Sequence, residues 1–488
     1  MKLAPLLLSL LVFSFTTLPA AERKPNIVYI LADDLGYGDV QCLNPQRGKI
    51  KTPHLDRLAG QGMTFTDAHS GSSVCTPTRY GLLTGRYAWR TRLQRGVLDG
   101  TDDPPLIADG RLTVPALLKQ HGYITAALGK WHLGFNSTPP PDEAQPGDAK
   151  TGKKKMGEGG LPLGSRIIGG PVTRGFDYFW GCSNARTMSG LIENDRVIES
   201  IAPISVLPRL SQRAVSYLAE HAADAKAGKP FFLYLPLTSP HTPILPTLEW
   251  QGKSGLGAYG DFVMQTDAVV GAVLAALEKH GLAENTLVIF TADNGCSPQA
   301  GPGKLEKLGH FASAEFRGYK SDIWDGGHRV PFFVRWPGKV QAGALNSQLI
   351  CHADLMATCA EILGVKLPDT AAPDSVSILS ALLDKDKTLL REAVVHHSIH
   401  GVFAIRQSQW KLELCAGSGG WSAGGGGASP QLYDMSKDSG ETNNVASSNP
   451  EVVARLTKLL EQYVAAGRST PGAKQTNDVA VKIFKAKK

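Results

Sequence analysis

Over the first three quarters of the chain, short apolar runs recur at intervals filled by amphipathic stretches. Four runs carry the pattern: residues 26–31 (NIVYIL), 123–128 (YITAAL), 231–237 (FFLYLPL) and 286–291 (TLVIFT). Each is apolar, or nearly so, on both alternating sets of positions, which predicts strands covered on both faces. Apolar spacings of three and four predict helices over 113–120, 210–222, 259–280 and 354–363. Alternation of the two kinds from residue 26 to about 338 predicts an α/β fold, a large mixed and mostly parallel sheet flanked by helices. Beyond about residue 384 the rhythm changes to alternating runs at 393–399 and 403–414 (FAIRQSQWKLEL), then a helix over 451–466. This reads as a smaller antiparallel sheet closed by a helix, giving units of 22–384 and 385–488.

Three stretches interrupt the pattern. Residues 139–170, rich in Pro, Gly and Lys, are expected to be a surface insertion near a site mouth. Residues 417–427 (GSGGWSAGGGG) are expected to form a mobile loop carrying Trp421. The basic tail, 474–488, is expected to be disordered. At the start, Met1-Lys2, an apolar stretch over 6–15 and small residues at Ala20 and Ala21 read as a secretory signal, residues 1–21, and so a secreted or periplasmic protein. The stretch falls short of the ~20 apolar residues that span a bilayer, so no stable membrane insertion is expected.

The 51 Lys and Arg against 44 Asp and Glu give a formal charge of +7, which suits an anionic substrate without requiring one. No run of Lys and Arg interleaved with aromatics suggests a nucleic-acid partner. Seven cysteines are too few and too scattered for a disulfide scaffold. Cys351 and Cys359, eight residues apart and sharing or flanking one predicted helix, would be separated by about 12 Å of rise and are expected to stay unbridged.

Each predicted central strand is followed at once by polar residues: Asp33 and Asp34, Lys130 and His132, His241, and Asp293 and Asn294. Ligands of open α/β sheets bind outside the carboxyl ends of the strands, so these residues point to one shared site. Asp33, Asp34, Asp293 and Asn294 offer hard oxygen ligands suited to Ca²⁺ or Mg²⁺. In Cys75-Thr76-Pro77-Thr78-Arg79, Thr76 is a good N-cap, Pro77 fits a first helical turn, and Thr84-Gly85 can end the helix. Cys75 would then lie at a helix N-terminus, where a thiolate or other anion is favoured, with Arg79 able to fork onto sulfate or phosphate. On residues alone, Cys75 could equally be a thiolate nucleophile, an inert thiol or half of a disulfide.

Cys75 to Arg79, with Leu83-Thr84-Gly85-Arg86 downstream, resembles the C-x-P-x-R signature and L-T-G-R of the sulfatases. The likeness continues in 26–38 (NIVYILADDLGYG), 129–134 (GKWHLG), 239–243 (SPHTP), Asp293-Asn294-Gly295 and 317–331 (RGYKSDIWDGGHRVP). The chain therefore resembles type I, formylglycine-dependent sulfatases of the alkaline phosphatase superfamily, on the branch of arylsulfatase A and N-acetylgalactosamine-6-sulfatase. The resemblance implies an alkaline-phosphatase-like fold and oxidation of Cys75 to formylglycine (3-oxoalanine) by a maturation enzyme. It implies one Ca²⁺ on Asp33, Asp34, Asp293, Asn294 and the modified Cys75. It also implies sulfate held by Arg79, Lys130 and Lys320, His132 as the base that drives sulfate elimination, and His241, helped by Lys320, as proton donor to the leaving alcohol. One oxygen of the hydrated aldehyde attacks sulfur, and the other later expels sulfate.

The implied activity is removal of sulfate from a sulfated saccharide, with a galactose or N-acetylgalactosamine sulfate suggested by the branch. A phosphate or phosphonate monoester hydrolase, or an inactive glycan-binding relative, are the alternatives; the intact residue set argues against decay. His328 is expected to be structural. Strand alternation puts His396 and His397 on opposite faces, against a joint metal site with His400. One of His397 or His400, with Trp421, is expected to border the substrate pocket.

Overall fold

The computed structural model describes residues 23–100, 103–138, 160–385, 388–424 and 428–485. The expected signal, 1–21, and most of the expected insertion, 139–159, lie outside them.

The four predicted strands form the middle of a twelve-stranded sheet, in the order Thr286–Ala292, Asn26–Asp33, Phe231–Pro240, Ile124–Lys130, all parallel. Tyr178–Cys182 continues the parallel run on one side, and Phe332–Arg335 pairs antiparallel on the other. The reason for the continuous apolar runs is visible in the first of these strands. Val28, Ile30 and Ala32 enter one core while Ile27, Tyr29 and Leu31 enter the other. At about 1.5–3 kcal/mol per fully buried large side chain, both sets favour burial, and neither can be polar.

Helices Pro53–Gly60, Val206–Glu220 and Ala258–Lys279 cover the first face. Cys75–Thr84, Val114–Gln120 and Leu355–Leu363 cover the second. Thr113 caps Val114–Gln120, its hydroxyl accepting from the Ala116 N–H at 3.3 Å. Ala258–Lys279 is long and apolar enough to cross a membrane, but it lies largely buried against Val206–Glu220 and the central sheet.

Val394–His397, Phe403–Gln407, Trp410–Glu413 and Gln431–Asp434 form the smaller antiparallel sheet, and helix Pro450–Ala466 packs Leu456 and Leu460 onto its Ile405 and Leu412. A buried charge cluster joins this sheet to the core: Lys411 reaches Asp325 at 2.8 Å, Glu413 at 3.2 Å and Glu441.

Two expectations, the mobile loop and the disordered tail, need correction. The glycine-rich loop is tied down over its described part: Ser418 O accepts from Ile323 N–H at 2.7 Å, and Trp421 N–H donates to Ser321 Oγ at 2.9 Å. The described end of the insertion contributes strand Arg166–Ile168, which pairs antiparallel with Asn136–Thr138 at the sheet edge. The tail docks through residue 485: Asp478 pairs with Arg86 at 2.9 Å, and Asn477 accepts from Arg90 at 2.9 Å. In each case the partner lies far away in sequence, so local composition could not reveal it. All seven cysteines are free, Cys351 and Cys359 included.

Candidate active site

The site forms where strands end. Asp33 and Lys130 are the last residues of their strands, His241 follows Phe231–Pro240, and Asp293 and Asn294 follow Thr286–Ala292. Asp34 (φ 64°), His132 (φ 55°) and Ser321 (φ 86°), which follows Lys320, all sit in the left-handed region. For non-glycine residues that costs about 1–3 kcal/mol each, and such strain gathers at functional sites. Gly295 is required for a different reason: a Cβ there would lie 1.9 Å from the Gly326 carbonyl oxygen, so the Asn294 turn can lie against the Lys320 loop only without a side chain.

The helix bearing Cys75 runs Cys75–Thr84 and ends at Gly85 with φ 62°. Its N-cap is Val74, not Thr76; the Thr76 hydroxyl instead accepts from Leu98 N–H at 3.2 Å. Cys75 is thus the first helical residue, and every residue of the helix is buried. Its Sγ atom lies 3.5 Å from Asp33 Oδ1. Ser73 N–H and Ser72 Oγ both donate to the His397 carbonyl, at 3.1 Å each, which fixes the approach to the helix.

Three carboxylates meet three cations around Cys75. Asp33 accepts from Lys130 at 2.7 Å and lies 3.5 Å from Arg79. Asp34 pairs with Lys320 at 2.7 Å, accepts from Asn294 Nδ2 at 2.8 Å and lies 3.6 Å from His241 Nε2. Asp293 takes both Nη2 and Nε of Arg79, at 2.8 and 3.2 Å. Burial opposes the charge on Asp33, yet Lys130, His241, Arg79 and Lys320 together hold its carboxyl well below the usual range. Asp293, pressed by burial and by the charge of Asp33, is pushed up to about 7. A hard dication would relieve that crowding. The donor set fits one: Asp33, Asp34, Cys75 and His241 bring ligand atoms within 4.8 Å of one another, and buried Asn294 Oδ1 has no partner among the described residues.

Burial pushes the Cys75 thiol up to about 12, against the expectation of a stabilised thiolate. Desolvation at this depth outweighs the nearby Lys130 and Lys320. His132 donates from Nε2 to the Leu98 carbonyl at 2.7 Å, which leaves Nδ1 a buried lone pair without a partner among the described residues. Burial, then Lys130 and Arg79, hold its pKa well below the ordinary histidine value. His241 is lowered to about 4, chiefly by burial, and its Nδ1 bonds the Thr242 carbonyl. Burial disfavours the charge of Lys320, but Asp34, Cys75 and Asp33 together more than offset it and raise the pKa.

A narrow cleft opens over Cys75, with Lys130, His132, His241 and Lys320 around it. Arg79 lies behind the cleft, fully buried on Asp293, with its Nη1 donating to the Lys130 carbonyl at 3.0 Å. The rim includes Trp421, as expected, but neither His397 nor His400; Ile399 between them takes that place.

Asp99, Asn184 and Arg186 also line the cleft and were not foreseen. Strand Tyr178–Cys182 ends just before Asn184, so the strand-end rule would have found two of them had YFWGC been read as a strand. His328 bonds the Ile323 carbonyl at 2.9 Å and His69 Nδ1 at 3.0 Å, outside the cleft, and His396 stacks on its ring.

Residues 25–365 match the family model described as Sulfatase, and 318–466 match the C-terminal model of N-sulphoglucosamine sulphohydrolase. The chain is 35% identical to an N-acetylgalactosamine-6-O-sulfatase of Bacteroides thetaiotaomicron, over 90% of this chain and 93% of that protein. It is 32% identical to human arylsulfatase A, over 90% of this chain and 88% of that one. A solved Bacteroides thetaiotaomicron structure, from a locus for metabolism of multiple glycosaminoglycans, superposes with a TM-score of 0.78 at 32% identity, covering 90% of this chain and 99% of that chain.

Proposed function

The chain belongs to the sulfatase family and is a sulfuric ester hydrolase, and from that premise we propose that it removes sulfate from a sulfated carbohydrate, an N-acetylgalactosamine or galactose sulfate. The observation that carries the reading is the convergence of Cys75, Lys130, His132, His241 and Lys320 on one small cleft. The 35% identical relative named for N-acetylgalactosamine 6-sulfate supports the sugar.

Asp33, Asp34, Asp293 and Asn294 would hold Ca²⁺, which supplies Lewis acidity toward the sulfate oxygens. Formylglycine made from Cys75 by a host maturation enzyme would supply two oxygens, one to attack sulfur and one to expel sulfate. The chain's own residues do the rest. The three carboxylates and three cations of the site balance, so a bound dication would leave the cleft positive and draw in an anionic ester. Lys130 and Lys320 face the cleft and orient the sulfate. Arg79 acts from behind as a positioning residue, fixing Asp293 and the Lys130 backbone. His132 offers a lone pair at Nδ1 and takes the proton whose loss releases sulfate. Lys320 and His241, both on Asp34, hold the proton for the leaving alcohol. Residues 22–384 carry this chemistry and 385–488 support it, after export directed by 1–21.

Mass spectrometry of the Cys75 peptide, combined with a screen of matched sulfate and phosphate esters of defined sugars at equal concentration, tests the reading. Aldehyde at position 75 and hydrolysis of sulfated sugars are expected. An unmodified thiol in an active preparation, or preference for the phosphates, would overturn it.

A further inference from the structure

Two chain segments build one wall of the catalytic cleft. Val97, Leu98 and Asp99 belong to the first and Ile399 to the second. They touch: Gly96 N–H donates to the Ile399 carbonyl at 2.7 Å, and a Cβ on Gly401 (φ 73°) would meet the Gln94 carbonyl oxygen at 2.1 Å. The same two segments also border a second, roomier groove of about 1060 Å³. Arg92, Arg95, His400 and Lys485 line it, together with Val402 and the exposed Val479.

The charge in this groove is one-sided. Among the described residues no carboxylate lines it, and Arg92, Arg95 and Lys485 form no ion pair. Burial and the neighbouring Arg95 both press Lys485 toward losing its proton. Bringing like charges together is unfavourable unless an anion joins them. The docked tail contributes Val479, Ala480 and Lys485 to its lining. Its mixed lining, cations beside apolar patches, suits a chain of sugars with acidic substituents: charges meet the cations and ring faces meet Val402 and Val479.

We propose that this groove is a binding site for the anionic polysaccharide chain that continues from the sugar in the catalytic cleft. The proposal rests on the carbohydrate reading above and adds that the substrate is an oligomer or polymer, gripped beyond the sulfated unit. Several exposed cations, each contributing modestly, would together raise affinity for long substrates and leave the chemistry at Cys75 unchanged.

The test pairs a sulfated monosaccharide with a hexasaccharide of alternating uronic acid and N-acetylgalactosamine 6-sulfate. On the mature enzyme, Arg95→Ala and Lys485→Ala should each raise KM for the hexasaccharide about fivefold at low salt while leaving kcat/KM for the monosaccharide unchanged. The penalty should shrink at about 0.5 M salt. Calorimetric binding of the hexasaccharide to Cys75→Ala protein, with and without Arg95→Ala, reads the groove without hydrolysis. Equal binding in the two proteins, or equal losses on both substrates, would overturn the groove. Tight, Arg95-dependent binding without any sugar sulfate hydrolysis by wild-type protein would uphold the groove and sink the hydrolase reading instead.

Discussion

At the scale of single residues, the decisive facts are which lone pairs and charges lack partners. His132 keeps one ring nitrogen on the Leu98 carbonyl and presents the other without a partner among the described residues. Replacing it with alanine should lower kcat by about 10²–10⁴, measured as steady-state turnover. Its pKa lies below the ordinary value, so the neutral, base-competent ring persists into acid. The acid limb of kcat/KM attributable to it should therefore fall below about pH 6.5, and a limb above that value would assign the base elsewhere. Asn294 Oδ1 is likewise buried without a partner among the described residues. Calcium titration of Asn294→Ala should show weakened binding. In wild-type protein chelation should lower the melting temperature, since a ligand at a hundredfold excess over Kd adds about 2.7 kcal/mol. The identities of these residues were legible in the sequence because each follows a strand or sits in a signature. The direction of Arg79 was not: its place in the helix says nothing of the fully buried Asp293 waiting behind it.

Among elements, the loop bearing Lys320 depends on the small C-terminal sheet. Asp325, in that loop, is held by Lys411 from one strand, and its N–H by Glu441 at 2.7 Å. Lys411→Met would leave Asp325, Glu413 and Glu441 without their buried cation, at a cost of about 3–5 kcal/mol by chemical denaturation. A rise in KM should accompany it. Burial opposes the charges of Asp325 and Asp67, yet their cationic neighbours, Lys411 on the first and Arg329 and Arg406 on the second, hold both carboxyls below the usual range. For such depressed groups the stabilisation is complete above the unfolded value of about 3.9 and is lost as pH falls through the folded one. Melting temperature should accordingly drop steeply below about pH 4. A flat profile there would show that these pairs contribute little. The central strands were readable because burial on both faces leaves an unbroken apolar run. The edge strands Asn136–Thr138 and Arg166–Ile168, three residues each and partly exposed, leave no such trace.

For the molecule as a whole, the boundary seen near residue 384 separates two sheets but not two functions. Trp421 reaches the cleft from the far side of it, and Lys411 and Glu441 support the cleft's loop. A chain stopped at residue 384 should be insoluble or inactive, even though every catalytic candidate lies before the cut, and an active soluble fragment would refute this. The glycine-rich loop and tail were misread as loose because their order comes from hydrogen bonds to residues 321–323 and 86–90, contacts that composition does not encode. The clasp on the nucleophile helix carries one more consequence, which concerns timing. The segment before Cys75 is locked by the His397 carbonyl, 325 residues after Ser72. At synthesis rates of roughly 5–20 residues per second, the clasp arrives roughly 16–65 s after its own segment is made. Oxidation of Cys75, as proposed, thus has a deadline set by elongation: an enzyme that must grip the extended peptide works before the clasp closes, and fast overproduction should yield a mixture of converted and unconverted chains.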